Sequence, residues 1–154
     1  ALGHAHSVPV HPVCGLDAIA AEAVGTAAAG APGALLVATD ARRREAYWAA
    51  YAWDGTRLTG PHVNRPDDVP DRIDGLELRA ASGELADRFG LEVLGPAYPT
   101  PIGLVSVARG LVSVARANAH VAGGEPEPLV PMYLRRPDAT EPGPPKPVST
   151  RGGA

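Results

Sequence analysis

The sequence predicts an α/β fold with a mixed sheet flanked by helices, and three observations carry that expectation. Apolar residues recur at helical intervals from Leu16, run without a break at Ala34–Thr39, and alternate along Glu45–Trp53. Strands alternating with helical patterns belong to the α/β class. The polar connection Asp40–Arg44 is too short for a crossover, so the strands beside it are antiparallel and the sheet is mixed.

In chain order, Val8–Val13 (VPVHPV) favours β structure, but its two prolines confine it to a sheet edge or a strand entrance. Leu16, Ile19, Ala20, Ala23 and Val24 then make one helical stripe, with Asp17 placed to suit the helix dipole. Gly25, Gly30, Pro32 and Gly33 end that helix and form a loop. Ala34–Thr39 (ALLVAT) reads as a strand covered on both faces. The next strand sets Tyr47, Ala49, Tyr51 and Trp53 on one side and Ala46, Trp48, Ala50 and Ala52 on the other, so it too is enclosed. Asp54–Gly55 marks a turn into a third strand.

Residues 61–75, rich in proline and aspartate, read as loop with at most a helical turn, and Leu76–Ala81 as a further strand. Ser82 is placed to cap a helix over Glu84–Phe89 that Gly90 ends. GLVSVAR at 103–109 is repeated without change at 110–116. That period puts Leu104, Val107, Ala108, Leu111, Val114 and Ala115 on one helix face and leaves Ser106, Arg109, Ser113 and Arg116 elsewhere. Two copies are too few for a coiled coil, so an amphipathic helix against the sheet is the expectation, with a surface for a partner helix as the alternative. Residues 137–154 are proline-rich with almost no large apolar side chain, and read as a disordered tail.

Bulk properties narrow the function. A formal net charge of -3 over 154 residues argues against a general nucleic-acid coat, which needs a basic excess to displace counterions. The run Arg42, Arg43, Arg44 remains a local basic spot beside aromatics. A single cysteine, Cys14, excludes an internal disulfide and fits a reducing cytoplasm. No stretch reads as a membrane span or a signal peptide. The opening ALGHAH has no methionine, and the chain reads as a piece of something longer.

Motifs for chemistry are sparse. His4, His6 and His11 match no strong ligand spacing, so no metal site is expected. Cys14 has no base partner in sequence and is expected to be buried. Asp40 follows a strand end, where carboxylates serve as bases or metal ligands. The simpler role is to hold the adjacent turn through backbone N–H groups. Neither a Gly-rich phosphate loop nor a Gly-x-Ser-x-Gly elbow is found, and no cofactor is called for.

Three stretches together carry a resemblance. GLDAIA at 15–20 follows a short Val-Pro-Val segment, LVATDARRREAYWAAY spans 36–51, and PMYLR spans 131–135. This resembles the C-terminal half of the TsaB (YeaZ) family. That family shows a Ser-Leu-x-Ala-Leu-Ala helix start, a strand ending Asp-Ala-Arg-x-x-Glu-x-Tyr-Trp-Ala, and a closing Pro-x-Tyr-x-Arg. Leu16, Ala18 and Ala20 match the first; Asp40, Ala41, Arg42, Glu45, Tyr47, Trp48 and Ala49 the second; Pro131, Tyr133 and Arg135 the third. The middle motif is the specific one. Gly15 stands where the family usually has Ser, and Arg44 where a Gly commonly makes the turn.

The resemblance implies an actin-like ATPase, ribonuclease-H-like (ASKHA) lobe over residues 1–136, the second of two. It implies a non-catalytic subunit that supports a TsaD-like catalytic partner and a TsaE-like ATPase. Together these transfer a threonylcarbamoyl group to the tRNA adenosine beside the anticodon. tRNA would be met indirectly, and self-pairing is open. Two alternatives stand beside it: a metal-dependent peptidase-like enzyme, matching an older glycoprotease label, and direct tRNA contact through Arg42, Arg43 and Arg44.

Overall fold

The structure is a computed structural model, and it describes residues 5–6, 10–26, 32–73, 75–110 and 130–134. His4, Arg135, the second GLVSVAR copy from Leu111 and the tail 137–154 lie outside the described residues.

Helix α1, Gly15–Val24, buries Leu16, Ala18, Ile19, Ala20 and Ala23, and Asp17 sits in its first turn. Strands β1 (Ala34–Asp40), β2 (Ala46–Tyr51), β3 (Arg57–Asn64), β4 (Leu78–Ser82) and β5 (Glu92–Val93) form one sheet in the order β3-β2-β1-β4-β5. The β1–β2 and β2–β3 pairs are antiparallel, while β1–β4 and β4–β5 are parallel. The mixed sheet and the enclosed central strands are as expected.

Alternation along β2 builds two cores, one on each face of the sheet. Toward α1, Leu35, Val37, Ala49 and Tyr51 pack with Leu16 and Ile19. On the opposite face Leu36, Ala38, Trp48 and Ala81 pack with Val69 and Ile73. The register Leu35↔Tyr51 and Val37↔Ala49 keeps the two faces separate, since a one-residue slip would exchange them. Trp48 and Tyr51 are each 1% exposed, and each polar tip has a partner. The Trp48 indole N–H donates to Asn64 Oδ1 at 3.0 Å, and the Tyr51 hydroxyl to Asp17 Oδ1 at 2.7 Å.

Several elements differ from the sequence reading. Val10–Val13 is irregular rather than a strand, where Pro12 has no ladder donor; Val8 and Pro9 lie outside the described residues. Residues 61–64 belong to β3, where an edge position tolerates Pro61; two short 3₁₀ turns, Pro66–Asp68 and Pro70–Arg72, follow. Ser82 caps no helix: it is buried at the end of β4, and its hydroxyl donates to the Pro96 carbonyl at 3.2 Å. The helix expected over Glu84–Phe89 contracts to a 3₁₀ turn, Ala86–Phe89, ended by Gly90 at φ 63°. Strand β5, two residues long, is too short to show a pattern.

The first GLVSVAR copy forms a helix, α2, over 101–110; Val107 and Ala108 of the expected face are half-buried, while Leu104 is not. Gly103 is the buried residue, whereas Leu104 is 38% exposed. A Cβ on Gly103 would overlap the Ala18 carbonyl, so only glycine lets α2 lie this close to α1. Thr100 fixes the start of α2: its hydroxyl accepts the Gly103 N–H at 3.2 Å and donates to Glu22 on α1. The close backbone approach at Gly103, together with Val107 and Ala108 of the stripe, sets the orientation.

Candidate functional site

The turn between β1 and β2 holds most of the motif residues. Asp40 pairs with Ala46 across the hairpin, leaving Ala41–Glu45 to reverse the chain. Arg42, Arg43 and Arg44 all adopt left-handed φ, at 64°, 54° and 63°. For a residue with a Cβ this conformation costs about 1–2 kcal/mol each. Offsetting bonds are local. Asp40 Oδ1 accepts the Arg42 N–H at 2.8 Å, the Ala41 N–H donates to the Glu45 carbonyl at 2.9 Å, and the Glu45 N–H donates to the Arg42 carbonyl at 3.0 Å. Asp40 Oδ2 also lies 3.4 Å from the Arg42 guanidinium. Asp40 thus does what the simpler sequence reading assigned to it.

The motif residues divide by depth. Ala41 and Trp48 are buried, Asp40, Glu45 and Tyr47 half-buried, and the three arginines exposed. Pro131 and Tyr133 are exposed, Tyr133 at 80%. Family-motif residues in β2 are therefore core, while the arginines face solvent.

Beside the turn lies an open groove of about 960 Å³. It opens at the carboxyl ends of the parallel strands β1 and β4, where open α/β sheets leave room for ligands. Cys14 and Asp17 at the start of α1 form one wall, Asp40 and Glu84 another, and Tyr98 and Met132 line it further on. Cys14 is half-buried, packed against the α1-side core while lining that wall. His6 is exposed and His11 half-buried, and no group of three His, Cys, Asp or Glu among the described residues is placed to hold a metal.

Two hydrogen-bonded sets shape the groove, and the sequence reading missed both. Asp17 accepts the Tyr51 hydroxyl and lies 3.7 Å from the Arg57 guanidinium. Burial, and then the bond to Asp17, push the Tyr51 phenol well above its ordinary range. At the rim, Glu84 Oε1 accepts the Tyr98 hydroxyl at 2.9 Å and Glu84 Oε2 lies 3.4 Å from the Asp40 N–H. The bond to Glu84, then that carboxylate's charge, pushes the exposed Tyr98 phenol upward. A signal for Tyr98 existed: it stands in Gly-Pro-Ala-Tyr-Pro, a loop composition that keeps an aromatic at the surface.

Comparison with known proteins places this arrangement. The model of the family described as "TsaD: tRNA N6-adenosine threonylcarbamoyltransferase" matches residues 1–123. The chain is 46% identical over 140 residues to uncharacterized protein ML0378 of Mycobacterium leprae, covering 90% of this chain and 33% of that protein. It is 43% identical over 139 residues to uncharacterized protein Rv3421c of Mycobacterium tuberculosis, covering 90% of this chain and 55% of that one. The chain therefore spans a third to about half the length of these curated relatives. A crystal structure of an uncharacterized protein with similarity to peptidase YEAZ, from Pseudomonas aeruginosa, superposes with a TM-score of 0.59 at 26% identity. That match covers 87% of this chain and 62% of that one. Together these findings support a TsaB/YeaZ-like relationship and an actin-like ATPase, ribonuclease-H-like fold. The chain belongs to the TsaD, tRNA N6-adenosine threonylcarbamoyltransferase, family.

Proposed function

We propose that this chain is the second lobe of a TsaB-like subunit that takes no catalytic step itself. It supports a TsaD-like catalytic subunit, with a TsaE-like ATPase, in transferring a threonylcarbamoyl group to a tRNA adenosine next to the anticodon. One observation carries the non-catalytic reading. Asp40, the motif carboxylate best placed for chemistry at a strand end, is committed to the Arg42 N–H and guanidinium. An acid held by both is a turn fastener, its oxygens spent on the hairpin rather than turned toward a substrate. Trp48 and Ala41 of the same motif serve the core.

The role would belong to the cytoplasm. No helix among the described residues is long and apolar enough to cross a membrane. The test is co-purification. Full-length protein, tagged and expressed with the TsaD-like protein of its own organism, should retain that partner through a salt wash. Recovery of the tagged protein alone, at concentrations where both are folded, would remove this reading.

A further inference from the structure

We infer that the Arg42–Arg44 turn and Tyr98 form a contact site for a single-stranded segment of RNA, with phosphates on the guanidiniums and a base on the phenol ring. The site rests on the reading above only for the identity of that RNA as tRNA, not for binding itself.

The first observation is conformational. Three consecutive residues with side chains occupy the left-handed region, where glycine or asparagine would sit more comfortably. Folding alone does not ask for arginine there. Backbone strain held by surrounding bonds concentrates where a surface has a task. Bonds from Asp40, Ala41 and Glu45 hold this turn, so the arginines project from a fixed base rather than a floppy loop.

The second observation is chemical. Arginine presents a planar fork of donors that matches phosphate oxygens in pairs, which lysine cannot do. Arg42 is 88% exposed at its side chain while Asp40, its ion-pair partner, is 30% exposed. The Arg42 guanidinium thus stands farther out than the Asp40 carboxylate, and the oxygens of Asp40 and Glu84 nearest the turn already accept N–H and O–H donors. An approaching polyanion meets the exposed Arg42 guanidinium before the less exposed Asp40 carboxylate behind it.

The third observation is the aromatic. Tyr98 is 59% exposed, and it is tied to the turn through Glu84, which bonds both the Tyr98 hydroxyl and the Asp40 N–H. Its hydroxyl is anchored to Glu84, and more than half of the residue is exposed at the groove. Exposed aromatic faces beside arginines hold unpaired bases by stacking, whereas a duplex keeps its bases stacked on one another. That combination selects single-stranded RNA over duplex.

The test uses the full-length polypeptide and two probes of equal length, an oligouridylate and a blunt RNA duplex. Binding is followed by fluorescence anisotropy across a salt series. Arg43→Gln/Arg44→Gln should weaken oligouridylate binding and lower the slope of log affinity against log salt by roughly 1.4, at about 0.7 per phosphate on a single strand. Tyr98→Ala should weaken it roughly five- to hundredfold without changing that slope. Thermal melts of each variant, matching the parent within error, identify the losses as lost contacts. Arg43→Glu/Arg44→Glu gives a larger loss of the same kind if the neutral pair shows little. Equal affinity for the duplex, no loss with Tyr98→Ala, or an unchanged salt slope in both arginine pairs would overturn the inference. Failure of partner co-purification with these RNA results intact would remove the reading above and leave this site standing.

Discussion

Strand β2 and the turn that precedes it are joined by a single residue, Glu45, yet opposite pressures shape them. In β2 every side chain is where packing wants it. Tyr47, Ala49 and Tyr51 face α1, and Trp48 faces the 3₁₀ turns, each in an ordinary extended backbone. In the turn, three arginines hold a backbone conformation that suits them poorly and touch mostly solvent. The strand reports what the fold requires. The turn reports what the fold tolerates, and a residue tolerated at a cost is where function is worth looking for.

Trp48→Ala gives the sharpest break in that contrast. It empties a site 1% exposed and leaves Asn64 without its indole donor, so urea unfolding should lose roughly 3–5 kcal/mol. Tyr51→Phe should cost roughly 1.5–3 kcal/mol, the scale of a hydrogen bond to a charged group. The same residue gives a pH signature. Its phenol is raised in the folded state, so its contribution is complete below the unfolded phenol value, about 10, and is lost as pH rises beyond it. Stability of the parent should fall above that pH, and Tyr51→Phe should fall less steeply.

Substitutions in the turn should be milder. Asp40→Ala removes the acceptor for the Arg42 N–H and should cost about 1 kcal/mol, visible as a lower urea midpoint with an unchanged slope. Arg44→Gly should go the other way. It relieves a left-handed residue at φ 63°, offset by the greater freedom of glycine in the unfolded chain, for a net gain of about 0.5–1 kcal/mol. Destabilisation by Arg44→Gly would show that the arginine side chain is itself part of the fold, and the contrast would collapse.

Period-two alternation made β2 legible in the sequence, since Trp48 and Tyr51 could only be core if both faces were covered. The unbroken run at Ala34–Thr39 did the same for β1. The shape of the turn was not legible, because three left-handed arginines carry none of the glycine that usually signals positive φ. The close contact of α2 with α1 was hidden for the opposite reason. A heptad reading counts apolar side chains, and Gly103 acts by having none. The groove joins the start of α1, the ends of β1 and β4, Tyr98, and Val130, Pro131, Met132 and Leu134. Segments so far apart in sequence share no local spacing that would reveal them as one site.

The central claim, a supporting rather than a catalytic subunit, is tested most directly by reconstituting threonylcarbamoyl transfer to tRNA from purified full-length proteins. Modified adenosine is then read by mass spectrometry of the digested tRNA. The account predicts no modified adenosine from this protein alone, and product when the TsaD-like and TsaE-like proteins of the same organism join it. Product formed by this protein without them, or by them at full rate without it, would contradict the account.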